Sequence, residues 1–183
     1  MKQGLILLLA VAFLSGCAGT EGEEKEFSAF RENLGGPVSF QVDISADYID
    51  SVERFSLDCT RDPSGLLTFR VTEPEEIREI TGTVSGDTGS LSFDDTVLAF
   101  PLMIRERISP VSGPWLVLHA LEKGYLTALT REGELLHATL EADLNGTGVT
   151  VDVWIQGEAL VSGEIAWQGI RQMTLVFRDF SRE

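Results

Sequence analysis

The sequence is poor in the side chains from which catalytic and metal centres are built. Its 183 residues include two histidines, His119 and His137, and two cysteines, Cys17 and Cys59. Zinc sites draw at least three ligands from His, Cys and carboxylate, and no H-x-x-x-H or comparable spacing occurs. A G-x-S-x-G nucleophile elbow and a phosphate-cradling glycine loop are also missing. Basic residues are scarce: 14 Lys and Arg stand against 29 Asp and Glu, a net charge of −15. A surface this acidic is repelled by nucleic acid and by anionic headgroups, which excludes nucleic-acid binding and leaves a basic protein partner as the sharper use of the charge. No apolar run reaches the roughly 20 residues of a membrane-spanning helix.

The carboxylates that are present read as solvated strand faces and turns. Asp94-Asp95 lies beside a hairpin and Glu75-Glu76 in a short crossing. A glycosidase pair cannot be identified from sequence spacing alone. "DLNGTG" (143–148) has a calcium-loop flavour but lacks the later bidentate Glu, and reads as a turn. The expectation is a non-enzymatic chain without cofactor or metal.

What the sequence does contain begins at its N-terminus. Lys2 precedes the apolar run Leu5–Leu14, and small residues follow. That order describes a secretory signal peptide. Leu14-Ser15-Gly16-Cys17 at the end of the run resembles the lipobox of bacterial lipoproteins, whose cysteine takes a diacylglyceryl group and becomes the mature N-terminus. The reading is therefore a signal peptide at 1–16, a lipid-attachment site at Cys17 and an acidic tether over 17–25, with a folded domain at 26–183. Two acyl chains anchor a protein stably where one binds reversibly. Eight tether residues reach at most about 28 Å, so the domain stays beside the extracytoplasmic face of a cell membrane. Gram-positive and Gram-negative envelopes both remain open. Loss of Lys2 with the leader leaves 13 basic and 29 acidic residues, a charge near −16. Cys59 is then the lone cysteine, so no intramolecular disulfide is available, and its alternating context makes it a small buried hydrophobe.

Phe27, Phe30 and Leu34 recur at helical spacing before Gly35-Gly36, predicting one short amphipathic helix. Strand patterns then dominate. "VSFQVDIS" puts Val38, Phe40, Val42 and Ile44 on one face, and "FSLDCTRDPSGLLTFRV" reads as a hairpin turned at Pro63 and Gly65. A second helix is predicted over "SPVSGPWLVLHALEKG", with Ser109 as its cap and Gly124 as its stop. Its centre, 115–121, is apolar nearly all round and must be buried. Asn145-Gly146 is the strongest hairpin signal. The count is about ten strands joined by tight turns plus two helices: a mainly β (α+β) antiparallel sheet with helices on one face.

Taken together, these segments, with the closing strand "LVFRDF", resemble the LolA/LolB superfamily of bacterial lipoprotein and lipid carriers. Within it the nearest likeness is to small lipoproteins of spore-forming Firmicutes such as the germination lipoprotein GerS. The resemblance implies an open half-barrel with helices against its concave face, the helix 110–123 acting as a plug. It implies that Trp115, Leu118 and Leu121 face inward, on a stripe with Val111. Phe40, Val42, Leu57, Phe69, Phe93, Val153 and Trp167 would line the cavity from the strands. A simple core built from the same residues reads identically in sequence.

Three functions follow as expectations. The first is an anchored binder of a hydrophobic ligand, a lipid or acyl chain. The second is an interaction module, such as a partner for a cell-wall enzyme in sporulation or germination. The third is an unrecognised hydrolase. An open pocket of several hundred Å3 favours the first. A packed cavity with an exposed apolar or strand-edge patch favours the second. Converging carboxylates with raised pKa values favour the third.

Overall fold

The structure, a computed structural model, describes residues 20–182 apart from positions 49, 87, 105, 106 and 145. The expected signal peptide, Cys17 and the first tether residues lie outside the described residues. So does Asn145 of the expected hairpin turn.

Alternating apolar residues build one open antiparallel sheet of eleven strands. The chain starts at its centre. β1 (Val38–Tyr48), β2 (Ser51–Arg61) and β3 (Leu67–Glu73) step outward to one side, followed by β4 (Thr81–Ser85), β5 (Thr88–Phe93) and β6 (Thr96–Pro101). The chain then leaves the sheet through a short hairpin, β7 (Met103–Ile104) and β8 (Arg107–Ile108). It re-enters at the opposite edge with β9 (Tyr125–Glu132) and returns through β10 (Leu135–Leu144), β11 (Thr147–Gln156), β12 (Ala159–Trp167) and β13 (Ile170–Arg182). β13 pairs with β1, so the first and last strands meet at mid-sheet. Tight turns make this meander possible. The Asp94-Asp95 pair is itself the β5–β6 turn, with φ of 46° and 64°. Leu144 opposite Thr147 closes the hairpin expected at Asn145-Gly146.

The connection from one edge to the other carries the helix that matters most. A 3-10 turn at Pro110–Ser112 runs into α2 (Gly113–Lys123). Ser109 does not cap it with its side chain. Its carbonyl instead accepts from the Ser112 hydroxyl at 2.6 Å, because the 3-10 turn brings residue i+3 under it. α2 lies in the concave face, with Leu116, Val117, Leu118, Ala120 and Leu121 no more than 1% exposed. The approach is close. A Cβ added at Gly163 of β12 would meet a Val117 methyl at 3.3 Å, and one at Gly113 would meet the Met173 sulfur at 2.3 Å.

The first helix, α1 (Thr20–Glu32), starts six residues before the predicted body of the domain. The acidic stretch has no apolar pattern, but Glu21 and Glu23 occupy the first helical turn, where the macrodipole favours negative charge. Phe27, Phe30 and Leu34 are buried as their spacing predicted. Phe30 stacks on Phe180 with centroids 6.4 Å apart, and the Arg182 guanidinium lies 4.6 Å from the Phe30 centroid.

Because Leu118 is 1% exposed within the core, truncation there leaves a void that the sheet cannot close. Leu118→Ala is expected to cost about 2–5 kcal/mol of unfolding free energy, read as a lowered urea midpoint with an unchanged slope. A cost below about 1 kcal/mol would mean that α2 is loosely packed.

Candidate functional site

Eight of the predicted lining residues do converge. Phe40, Val42, Leu57, Phe69 and Val153 on the strands, with Trp115, Leu118 and Leu121 on α2, belong to one core and are at most 7% exposed. They converge on one another rather than on an open void. Trp167, at the end of β12, is half-buried against the same core. Phe93 is not brought to them: it is 56% exposed at the tip of the β5–β6 hairpin. Alternation put it on the correct face, with Leu91, but the hairpin tip extends beyond the cover that α2 provides.

Polar contacts latch the plug in place. Arg61, at the end of β2, is 5% exposed. It donates to the Leu34 carbonyl at 3.0 Å and pairs with the Glu122 carboxylate of α2. Arg31 of α1 donates to the carbonyls of Glu122 and Gly124 at 3.0 and 3.2 Å, filling acceptors that the end of α2 leaves free. The Trp115 indole N–H donates to the Gly65 carbonyl at 3.3 Å. His119 stacks on Trp115 with centroids 4.6 Å apart and planes 11° from parallel. Burial pushes the His119 pKa below the usual histidine range, with the Glu122 charge opposing the shift. Sequence reading missed this clasp, because one arginine at a strand end carries no pattern.

Other titratable groups do not form a reaction centre. Burial pushes the Cys59 thiol up, strongly disfavouring the nucleophilic thiolate. Tyr48 is pushed up to about 12, chiefly by burial, and donates to the Ile108 carbonyl at 2.5 Å. His137, on the outer face, has one ring nitrogen 3.0 Å from Glu132 and the other 2.9 Å from Asp152, with Trp154 stacked on it at 4.4 Å. That arrangement ties β9, β10 and β11 together. Among the described residues, no three His, Cys, Asp or Glu side chains are grouped to hold a metal ion.

No protein-family model and no curated protein matches the sequence. Solved structures do. The chain is similar to a LolA superfamily protein from Nitrosomonas europaea, with 9% identity over 85% of this chain and 93% of that one, at a TM-score of 0.46. It is similar to lipoprotein LppX of Mycobacterium tuberculosis, with 16% identity over 87% and 93% of the two chains, at 0.42. It is also similar to a chain of the Clostridioides difficile CwlD amidase in complex with the GerS lipoprotein, with 13% identity over 87% and 95%, at 0.40. The likeness is one of architecture.

The sheet's two edges differ. At β9, α1 lies alongside, and Arg131 pairs with Glu26 and approaches Glu23 at 3.9 Å. At β6, no described strand pairs with the outer edge. There Leu98, Val97 and Phe93 are 62%, 67% and 56% exposed, and Ile104 follows at 54%. Leu98 sits opposite Leu91, on the concave side, while Val97 faces the other way. The edge is thus apolar on both faces. Among the described residues, no helix is long and apolar enough to cross a membrane.

Two outcomes test the latch. Glu122→Ala removes a charged hydrogen bond from a buried arginine and is expected to cost about 1.5–3 kcal/mol in urea unfolding. A neutral effect would show that Arg61 is satisfied without it. For His119, the folded state prefers the neutral ring. Its stabilising contribution is complete above the ordinary value of about 6.5 and is lost as pH falls through the lowered folded value. Stability should therefore decline from pH 7 to pH 5, and His119→Gln should flatten that decline. An unchanged slope in the variant would assign the acid sensitivity to other groups.

Proposed function

We propose that this chain is a non-enzymatic, lipid-anchored interaction module of the bacterial envelope. A partner protein engages it by adding an extended segment to the β6 edge. The observation that carries the reading is the pairing of a filled concave face with an exposed apolar edge strand. A carrier needs space for an acyl chain, whereas eight of the residues predicted to line that space share one packed core with α2. An unprotected edge six residues long offers backbone donors and acceptors in register, and apolar side chains on both faces add area to a docked strand. Native edges with no partner are usually blunted by charge, bulges or covering elements. β6 carries none of its own apart from Pro101 at its end, whereas β9 has a helix beside it.

Anchoring through Cys17 is part of the proposal. It would hold the module at the extracytoplasmic face, where a cell-wall enzyme is the kind of partner the resemblance implies. Cys17→Ser should abolish incorporation of labelled palmitate and release the protein from the membrane fraction. Retention of both label and membrane association would overturn the anchor.

Photo-cross-linking and native mass spectrometry separate the partner reading from the carrier reading. A photoreactive residue at position 98 is expected to give one discrete protein adduct in cells of the source organism. The same residue at Glu141, on the outer face of β10, should give none. Incubated with membrane extract, the domain should keep its unliganded mass. A discrete mass in the lipid range, lost on Trp115→Asp, together with no adduct at position 98, would return the function to ligand carriage.

A further inference from the structure

A groove of about 790 Å3 opens on the outer face, where β13, β1, β2 and β3 run side by side. Its form follows from residue size and register. Thr174, Ser45 and Arg54 lie in one cross-strand row, and Val176, Asp43 and Ser56 in the next. Ser45 at the centre of the first row and Ser56 at the side of the second leave the floor low, while Arg54 and, one row further on, Arg178 rise at the sides. The segment after β3 closes the remaining side. There Arg78 donates to the Thr72 carbonyl at 3.2 Å, which holds its guanidinium over the groove.

Three guanidinium groups in one groove is an unusual concentration for a chain with two acids for every base. The groove's two carboxylates offset only part of this charge. Asp43 is occupied by Arg178 at 2.7 Å and the Ser56 hydroxyl at 2.7 Å. Glu73 lies at the rim, exposed. Arg78 pairs with Glu75 at 2.5 Å, but both side chains are more than half exposed, where such pairs contribute little. Arg54 is exposed and has no hydrogen-bond or ion-pair partner among the described residues. Beside these donors is a small apolar patch: Val176 is 45% exposed, and Pro74 shares the lining.

We infer that this groove binds a small organic oxyanion, a phosphate ester or carboxylate with a short apolar portion. Its charged head is taken by Arg54 with Arg78 or Arg178, and its apolar portion lies along Val176 and Pro74. Guanidinium groups match oxyanions in geometry and charge. The Ser45, Ser56 and Thr174 hydroxyls supply further donors, and the volume fits a small-molecule site. The site lies on the face opposite α2 and is independent of the β6 edge.

The test is calorimetric titration of the detergent-solubilised full chain with butyl phosphate, with inorganic phosphate and, as a separate arm, with vesicles containing an anionic phospholipid. Butyl phosphate is expected to bind, and Arg54→Gln to weaken it about tenfold, the effect of one lost charged hydrogen bond. Val176→Ser should weaken butyl phosphate but not inorganic phosphate. Arg171→Gln, on an arginine outside the groove, should change neither. Arg54-dependent binding of vesicles but not of butyl phosphate would assign the oxyanion to a lipid headgroup and overturn a small ligand. Equal affinity for butyl and inorganic phosphate would overturn the apolar half of the proposal. Absence of binding, or binding that Arg54→Gln leaves unchanged, would overturn the whole.

Discussion

An open sheet of eleven strands with an apolar inner face cannot persist in water uncovered, and everything else in this protein follows from how that face is covered. One helix, α2, does most of the work. It is apolar nearly all round because neighbours cover most of its surface, from Gly113 to Leu121. Its position depends on topology. The chain lays six strands to one side, crosses the concave face once, and lays five back from the far edge. The crossing segment is therefore forced through the space that a carrier would keep open. Gly163 and Gly113 let the backbones approach at that crossing, and the Arg61–Glu122 and Arg31 contacts fix the helix end.

Filling the concave face moves the functional interest outward. What remains available is an edge strand with apolar side chains on both faces and an outer groove that gathers arginines on an otherwise acidic molecule. Neither depends on the core being open. Both are compatible with a domain held close to a membrane, where an edge can meet a neighbouring protein and a groove can meet an anionic small molecule. The acidic remainder of the surface keeps the module soluble and discourages contact with anionic headgroups.

Much of the fold was legible because its signals are local. Val38, Phe40, Val42 and Ile44 alternate, and a half-buried strand is the simplest structure that uses such alternation. The apolar run in α2 exceeds what a surface helix tolerates, so burial could be read directly. Phe93 shows where that reading stops. Alternation assigns a face, but how far along each strand the cover extends is decided by the length and angle of a helix twenty residues away. The start of α1 was hidden for a related reason. Residues 21–25 are mostly exposed and mostly charged, so they show no apolar period even though they are helical. Arg61 and Arg54 both lie on β2 and, by alternation, on opposite faces. Arg61 is buried in the clasp and Arg54 is exposed over the outer groove, and the clasp partners Leu34 and Glu122, distant in sequence, could not be read from that alternation.

The central claim, that α2 is a permanent part of the core rather than a movable lid, is tested most directly by native-state hydrogen exchange. Amides of α2 from Val117 to Leu121 should exchange only through global unfolding, with the same denaturant dependence as those of β1 and β13. Exchange of α2 at a much lower opening free energy, while the central strands stay protected, would contradict it. The concave face would then open in the folded protein, and the half-barrel would again be a place for a ligand.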